Sequence, residues 1–432
     1  MFLQKLAATP SQVMNSKALN SESCLLTIPE RQRRYVKLTQ NEHFFGKYVL
    51  APIPTDSSAE LPATPEAPTD ILTPTEQDWF VAGWIGILDY PSTPKNADTP
   101  SDHCWFRRYE FSILIDPDKE FCVIQAYTRP SNSAIQQVEQ LLLSQDEFAP
   151  AKSRTWQPLQ NKDTYLRSFN AVQSYLKSGD CYQINLTTPF YCSDNLRNQA
   201  GIDLLTTFNA AHGCIIREKH RTIFSVSPER LLKVTAQRTN RKHPEFLLEA
   251  RPIKGTAPRG ESKEVDEELA KNLTASVKNQ AENLMIVDLL RNDLSVHAAS
   301  NSVRVTDLFK LESHLNVHHL VSTITATLRE DATPRDAINA AFPGGSITGA
   351  PKIRAMEIIH ELEPQPRGAY CGSAGYLDDS GNCDFNILIR TIEAKDSGAV
   401  CWGGGGVVID STGEEEYAEI HSKVDRILST PL

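Results

Sequence analysis

The chain has 432 residues, 40% of them hydrophobic, and a formal net charge of −10. That length can bury a sizeable core, and the acidic balance, with no long block of one sign, excludes a phosphate-backbone partner such as nucleic acid. Nine scattered cysteines form no C-x-x-C pair of the kind that marks a metal or redox site, and no window approaches the ~18 apolar residues of a membrane span or holds the core of a signal peptide.

A cytosolic protein with reduced, packed thiols is expected. We read one compact unit, with residues 1–150 as a mainly-sheet N-terminal region and 151–432 as the region that carries the chemistry. Residues 51–75, "APIPTDSSAELPATPEAPTDILTPT", are rich in Pro, Thr and acidic residues and poor in large apolar ones, which predicts an exposed, disordered insertion. Apolar or alternating runs at 79–90 and 111–127 predict strands, with a turn at Asp116-Pro117. Helical periodicity occupies 163–178, 263–273, 276–293, 333–341, 351–363 and 413–429. Strands are predicted between these at 222–226, 231–235, 246–250, 317–328, 371–377, 384–393 and 399–410. Because the strands cluster like hairpins instead of alternating with helices, the pattern predicts an α+β fold with large antiparallel sheets.

Six stretches can carry chemistry, and each has a plain structural alternative. In "EARPIKGTAPRG" (249–260) Lys254 is either a solvated loop charge or a nucleophile. In the apolar helix "AENLMIVDLLRNDL" (281–294) Glu282 shares a face with Ile286 and Leu289. A carboxylate there must be protonated, bound to a metal, or paired, Lys278 one turn earlier being one partner. "FPGGSITGAPKIRAMEIIHELEP" (342–364) sets a glycine-rich turn before a helix that begins around Pro351. It is a tight turn or, through the N–H groups of Gly349 and Ala350 at the helix N-terminus, an anion site. "FNILIRT" (385–391) alternates like a strand and places Arg390 among apolar neighbours, where it needs a carboxylate, from the protein or from a ligand. The four glycines of "CWGGGGVVID" (401–410) signal close approach by a ligand or by another segment. In "TGEEEYAEIHSKVDRIL" (412–428), with Thr412 as N-cap, Glu416, Glu419 and Lys423 share the sector of Ile420 and Ile427. They are a solvated Glu419–Lys423 pair or, with Glu282, an oxygen-rich site suited to Mg²⁺.

Together with "GDCYQINLT", "SPERLL", "HHLVSTI", "RGAYCGSAGYL" and "EIHSK", these stretches resemble, in order, the motifs of the chorismate-utilising enzymes between about 165 and 427. The N-terminal third matches loosely, and the insertion departs from the pattern. The resemblance implies a sandwich core of antiparallel sheets flanked by helices, and chorismate as substrate. It further implies Mg²⁺ held by Glu282 and Glu419 with Glu416 beside them, Glu282 counting also among the catalytic residues. Arg390 and Tyr370 would hold the enolpyruvyl carboxylate. Lys423, Gly349 and Ala350 would line the same pocket, His319 would stand beside the departing C4 hydroxyl, and Ser346 and Thr256 near the ring. A dianionic substrate on a protein of charge −10 needs such a local positive field.

Within the family, members that add water at C2 carry a lysine where this chain has Gln183, which cannot serve as that base. C2-aminating members usually carry alanine at the position of Lys254. The motif "PIKGT" is that of members making 4-amino-4-deoxychorismate, in which the lysine amine attacks C2 and ammonia then enters at C4. Burial and the nearby Arg251 and Arg259 are expected to favour the neutral amine. A C2-aminating enzyme and a non-catalytic chorismate-binding subunit stay open as alternatives, separable by analysis of the product. No cysteine stands in a G-x-C-x-G setting, so ammonia would come from solution or from a separate glutaminase subunit.

Overall fold

The computed structural model describes residues 2–14, 16, 18, 22–27, 35–39, 42–45, 48–62, 80–93, 104–118, 121–144, 148, 151–237, 244–314 and 317–432. Two large antiparallel sheets dominate it. The first has twelve strands. Its path runs β1 (Phe2–Lys5), β10 (Phe121–Ala126), β9 (Ser112–Asp116), β5 (Tyr48–Ala51), β2 (Cys24–Thr27), β13 (His212–Arg217), β14 (Arg221–Ser227), β23 (Thr391–Lys395), β24 (Gly398–Val407), β12 (Gln183–Cys192) and β11 (Gln157–Pro158). The short β20 (Gly349–Ala350) also pairs with β12. The second sheet has ten. It runs β17 (Ile253–Pro258), β19 (Val317–Thr327), β16 (Glu245–Ala250), β15 (Arg230–Gln237), β22 (Cys383–Asn386), β21 (Ser373–Asp378), β7 (Gly83–Leu88), β8 (Cys104–Tyr109) and β6 (Asp56–Ser58), with β18 (Arg304–Ser313) on β19. β3 (Tyr35–Thr39) and β4 (Glu42–Phe45) form a separate hairpin.

The period-2 alternation of the strands builds the layers. Val49, Leu114 and Val123 of the first sheet meet Ile85, Ile87, Trp105 and Tyr376 of the second in a core between the sheets. Their neighbours Leu50, Ile113, Ile115 and Ile124 point the other way. There they pack with α1 (Pro10–Met14), α2 (Asn132–Leu143), α3 (Lys162–Ser178), α4 (Ile202–Phe208), α8 (Lys352–Leu362) and α9 (Gly413–Ser429). On the far face of the second sheet, Val234, Leu248 and Ile324 pack under α6 (Val277–Ser295) and α7 (Pro334–Ala341), while α5 (Lys263–Ala275) lies by β17. The result is the expected α+β sandwich, helix–sheet–sheet–helix. The six predicted helices are present; α1, α2 and α4 are additional.

Two predictions need correction. Of the stretch 51–75, residues 63–75 lie outside the described residues; within 51–62, Ala51 closes β5, β6 pairs with β8, and Leu61 is buried in the second sheet's core. The predicted strand 384–393 is two strands in different sheets, β22 and β23, with the chain crossing between the sheets over 387–390. Period-2 alternation cannot reveal such a switch, because the pattern persists through it. A second crossing, from β14 to β15 over 228–229, runs beside the first. Val226 N–H donates to the Arg390 carbonyl (3.1 Å), Ile387 N–H to that of Glu229 (3.0 Å), and Ser227 Oγ to that of Ile387 (2.6 Å). The sheets are therefore stitched together at one seam.

Candidate active site

The seam delivers two charges. Arg390 ends one crossing with φ +51°, an unfavourable conformation for a non-glycine residue that marks a constrained site. Glu229 ends the other; its carboxylate accepts a 2.8 Å hydrogen bond from Ser346 Oγ, which the turn Gly345–Ile347 presents. Burial raises the Glu229 carboxyl above the usual range, against the opposing pull of Lys254, the Ser346 bond, Lys423 and Arg390. Among the described residues Arg390 forms no direct ion pair. Burial weighs against its charge and Glu229 supports it.

Lys254 sits in a β-bulge. Ile253 pairs with Val321 and Thr256 with His319, so Lys254 and Gly255 together oppose Leu320. Bulges of this kind re-aim a side chain beside active sites. Gly255 has φ +92°, which excludes other residues in practice. Thr256 Oγ1 lies 3.0 Å from His319 Nδ1. Burial, then the nearby His314 and Arg390, lower the His319 imidazole to about 4, so it is neutral at pH 7. The two arginines expected to act on Lys254 are paired elsewhere, Arg251 with Glu312 (2.6 Å) and Arg259 with Asp266 (2.7 Å). The carboxylates that feel the Lys254 charge are Glu229 and Glu419.

α9 lies on β24, and the glycines make that possible. A Cβ on Gly403 would stand 2.8 Å from Ile420, and one on Gly405 2.7 Å from Glu416 Oε2. Thr412 caps the helix as predicted. Glu416 is 6% exposed: Oε1 accepts from Ser411 Oγ (2.7 Å), and Oε2 is buried with no partner. Burial and, after it, the neighbouring Glu419 push its pKa up. Glu419 pairs with Lys423 (2.7 Å), whose Nζ also donates to the Gly404 carbonyl (2.9 Å). Although burial pushes the Glu419 carboxyl up, Lys423, with Lys278 and Lys254, brings it below the usual range. The alternative Lys278–Glu282 ion pair does not form; Lys278 instead bears on Glu416 and Glu419 across from α6. An orphaned buried carboxylate oxygen beside a second carboxylate fits a hard cation. Among the described residues no three acidic, His or Cys side chains are gathered into a ready cage; Glu282 stands on α6, the helix from which Lys278 bears on Glu416 and Glu419.

The opposite face of β24 completes the wall. Gly404 leaves room for the Tyr370 hydroxyl, 3.0 Å from where a Cβ would stand, and Tyr370 stacks on Trp402 at 5.8 Å. Gly406 adjoins Gln183, which is 1% exposed with its amide nitrogen unpartnered. Gly349 and Ala350 form the strand β20 against Gln183 and Ile184, one step ahead of the helix they were expected to begin. Gly349 is required there because a Cβ would meet the Gln183 carbonyl at 2.1 Å. The N-cap of α8 is Pro351, so the free helical N–H groups begin at Lys352.

Around Glu229 the structure thus gathers Lys254, Ser346, Arg390 and Lys423, with His319 and Thr256 next along β17–β19. Sequence reasoning missed Glu229. The signal was a carboxylate between Pro228 and Arg230 in "SPERLL", at a strand end.

The profile of the chorismate binding enzymes matches residues 34–429. Aminodeoxychorismate synthase component 1 of Escherichia coli (strain K12) is 42% identical over 327 residues, 74% of this chain and 68% of that protein. Its counterpart in Klebsiella aerogenes is 41% identical over 365 residues, 81% and 77% of the two chains. Anthranilate synthase component I from Streptococcus pneumoniae TIGR4 is similar with a TM-score of 0.69 at 24% identity, covering 94% of this chain and 92% of that one. MenF, the menaquinone-specific isochorismate synthase from Escherichia coli, is similar with a TM-score of 0.71 at 16% identity, covering 99% and 94%. These two structures speak for the fold alone.

Proposed function

Because the chain belongs to the chorismate binding enzymes, we propose that it converts chorismate and ammonia to 4-amino-4-deoxychorismate through a covalent adduct on Lys254. The observation that carries this reading is that Lys254, set in a β-bulge, lies near enough to the buried Glu229 at the seam for its charge to pull on that carboxyl. Arg390, Lys423 and Tyr370 bind the substrate carboxylates. Glu229, with its raised pKa and its bond to Ser346, is placed to take the proton that the Lys254 ammonium must lose before attack. The neutral amine bonds to C2, the ring double bonds shift, and the C4–O bond breaks, the departing hydroxide leaving as water with a proton from the alkylated Lys254 nitrogen. Neutral His319, oriented by Thr256, faces that hydroxyl as a hydrogen-bonding group and not as an imidazolium. Ammonia then bonds to C4, the C2–N bond breaks with its electrons returning to Lys254, and Glu229 returns the proton.

Mg²⁺ would be held by Glu416 and Glu419, with Glu282 approaching from α6. When bound it supplies positive charge to a substrate carboxylate. Ammonia is delivered by a separate glutaminase subunit.

Intact-protein mass spectrometry of the enzyme with chorismate and Mg²⁺, without ammonia, should show an adduct that is absent in Lys254→Ala. With ammonia, nitrogen should appear on C4. Wild-type rates of C4 amination in Lys254→Ala would refute the covalent step, and an aromatised C2-amino product would reassign the enzyme.

A further inference from the structure

β19 is bordered by bulges on both sides. On β17, Lys254 and Gly255 oppose Leu320. On β18, Asp307 pairs with Thr323 and Lys310 with Val321, so Leu308 and Phe309 oppose Ser322. Each bulge leaves ladder groups without their regular partners, and Phe309 is strained as well, with φ +53°. One fully buried side chain from α6 reaches both places. Asn283 Nδ2 donates to the Leu320 carbonyl (3.3 Å), and Asn283 Oδ1 accepts from Ser322 Oγ (2.6 Å). Ser322 Oγ in turn accepts from Phe309 N–H (3.1 Å), and Ser322 N–H donates to the Pro252 carbonyl, two residues before Lys254 (3.2 Å). Asn283 and Ser322 are both 0% exposed. Their polar atoms are satisfied only while both bulges keep this register, since a slip would leave a buried amide and hydroxyl unpaired.

We infer that Asn283 is a positioning residue for Lys254: with Ser322 it locks the bulge in register and fixes its height relative to α6. The inference rests on Lys254 being the nucleophile. Asn283 immediately follows Glu282, so the same clamp sets the separation between the proposed metal-side carboxylate and the amine. No substrate contact is assigned to Asn283; its effect passes through Leu320 and Pro252.

Three variants test this. Asn283→Ala removes the clamp. Asn283→Asp keeps an acceptor for Ser322 but loses the donor to Leu320. Ser322→Ala removes only a hydroxyl and decides the matter if the other two fail to fold. A misplaced nucleophile should lower kcat by about 10²-fold with little change in KM for chorismate. Deuterium uptake should rise in the segment 252–258 while the remaining protected segments keep their protection. Unchanged kcat, or reduced kcat with unchanged uptake at 252–258, would overturn the inference, as would protection lost uniformly over the whole chain. If the wild-type enzyme forms no lysine adduct, the nucleophile reading fails on its own, and uptake at 252–258 still shows whether Asn283 holds the bulge.

Discussion

At the scale of single residues, the site is built from charges held in unusual states. Burial lowers His319 to about 4 and His212 to about 3. The unfolded chain takes up protons near the ordinary imidazole value of ~6.5, so between that pH and about 4 it binds more protons than the folded chain. The contribution of both histidines to stability is therefore present at neutral pH and is lost as pH falls through that window. The urea midpoint should drop between pH 7 and pH 5, and His319→Gln should narrow the drop; an unaltered drop would place His319 in solvent. Glu416 offers a contrasting case, a buried carboxyl with one orphaned oxygen beside Glu419. Glu416→Gln removes a like-charge repulsion, so the thermal midpoint should hold or rise while Mg²⁺-dependent activity falls by about 10–100-fold. A lower midpoint with intact activity would make Glu416 structural.

At the scale of elements, the glycine run of β24 is read as a docking face for α9 on one side and for Tyr370 and Gln183 on the other. Gly405→Ala should force α9 outward, costing about 1–3 kcal/mol by chemical denaturation and weakening the Mg²⁺ response. A variant of wild-type stability would show that the helix has slack. The helix that carries Glu419, with its strong period, was legible in the sequence, as was the cap at Thr412; the helix that carries Glu282 was legible from its apolar length, its apolar residues lying nearly all round it. The switch at Arg390, the bulge at Lys254 and the strand at Gly349 were not. Each depends on a partner segment far away in sequence, and alternation within seven residues holds no record of it. Glu229 was overlooked for the same reason: its surroundings come from Ser346, Arg390 and Lys423, all supplied by later parts of the chain.

At the scale of the whole molecule, all nine cysteines are buried, and burial pushes the thiols of Cys104, Cys371 and Cys401 up to about 12. None is poised as a glutaminase nucleophile. The purified chain should turn over chorismate with ammonium salts, faster as pH rises toward the ammonia pKa, and should fail with glutamine; equal rates with both would contradict a separate glutaminase. The order of strands in the first sheet bears on how the protein is made. β14 and β12 are both neighbours of the hairpin β23–β24, which fills the gap between them. β12 ends at residue 192 and β24 at 407, so 215 residues (407 − 192) must be synthesised before that gap can close. At ~5–20 residues per second the wait is roughly 10–40 s, during which the apolar edge of β12, joined by that of β14 once residue 227 is made, stands open on the ribosome-bound chain. The nascent protein thus carries an open sheet edge for about half of its synthesis, and fragments ending before residue 391 should be recovered as aggregates even where the full chain is soluble.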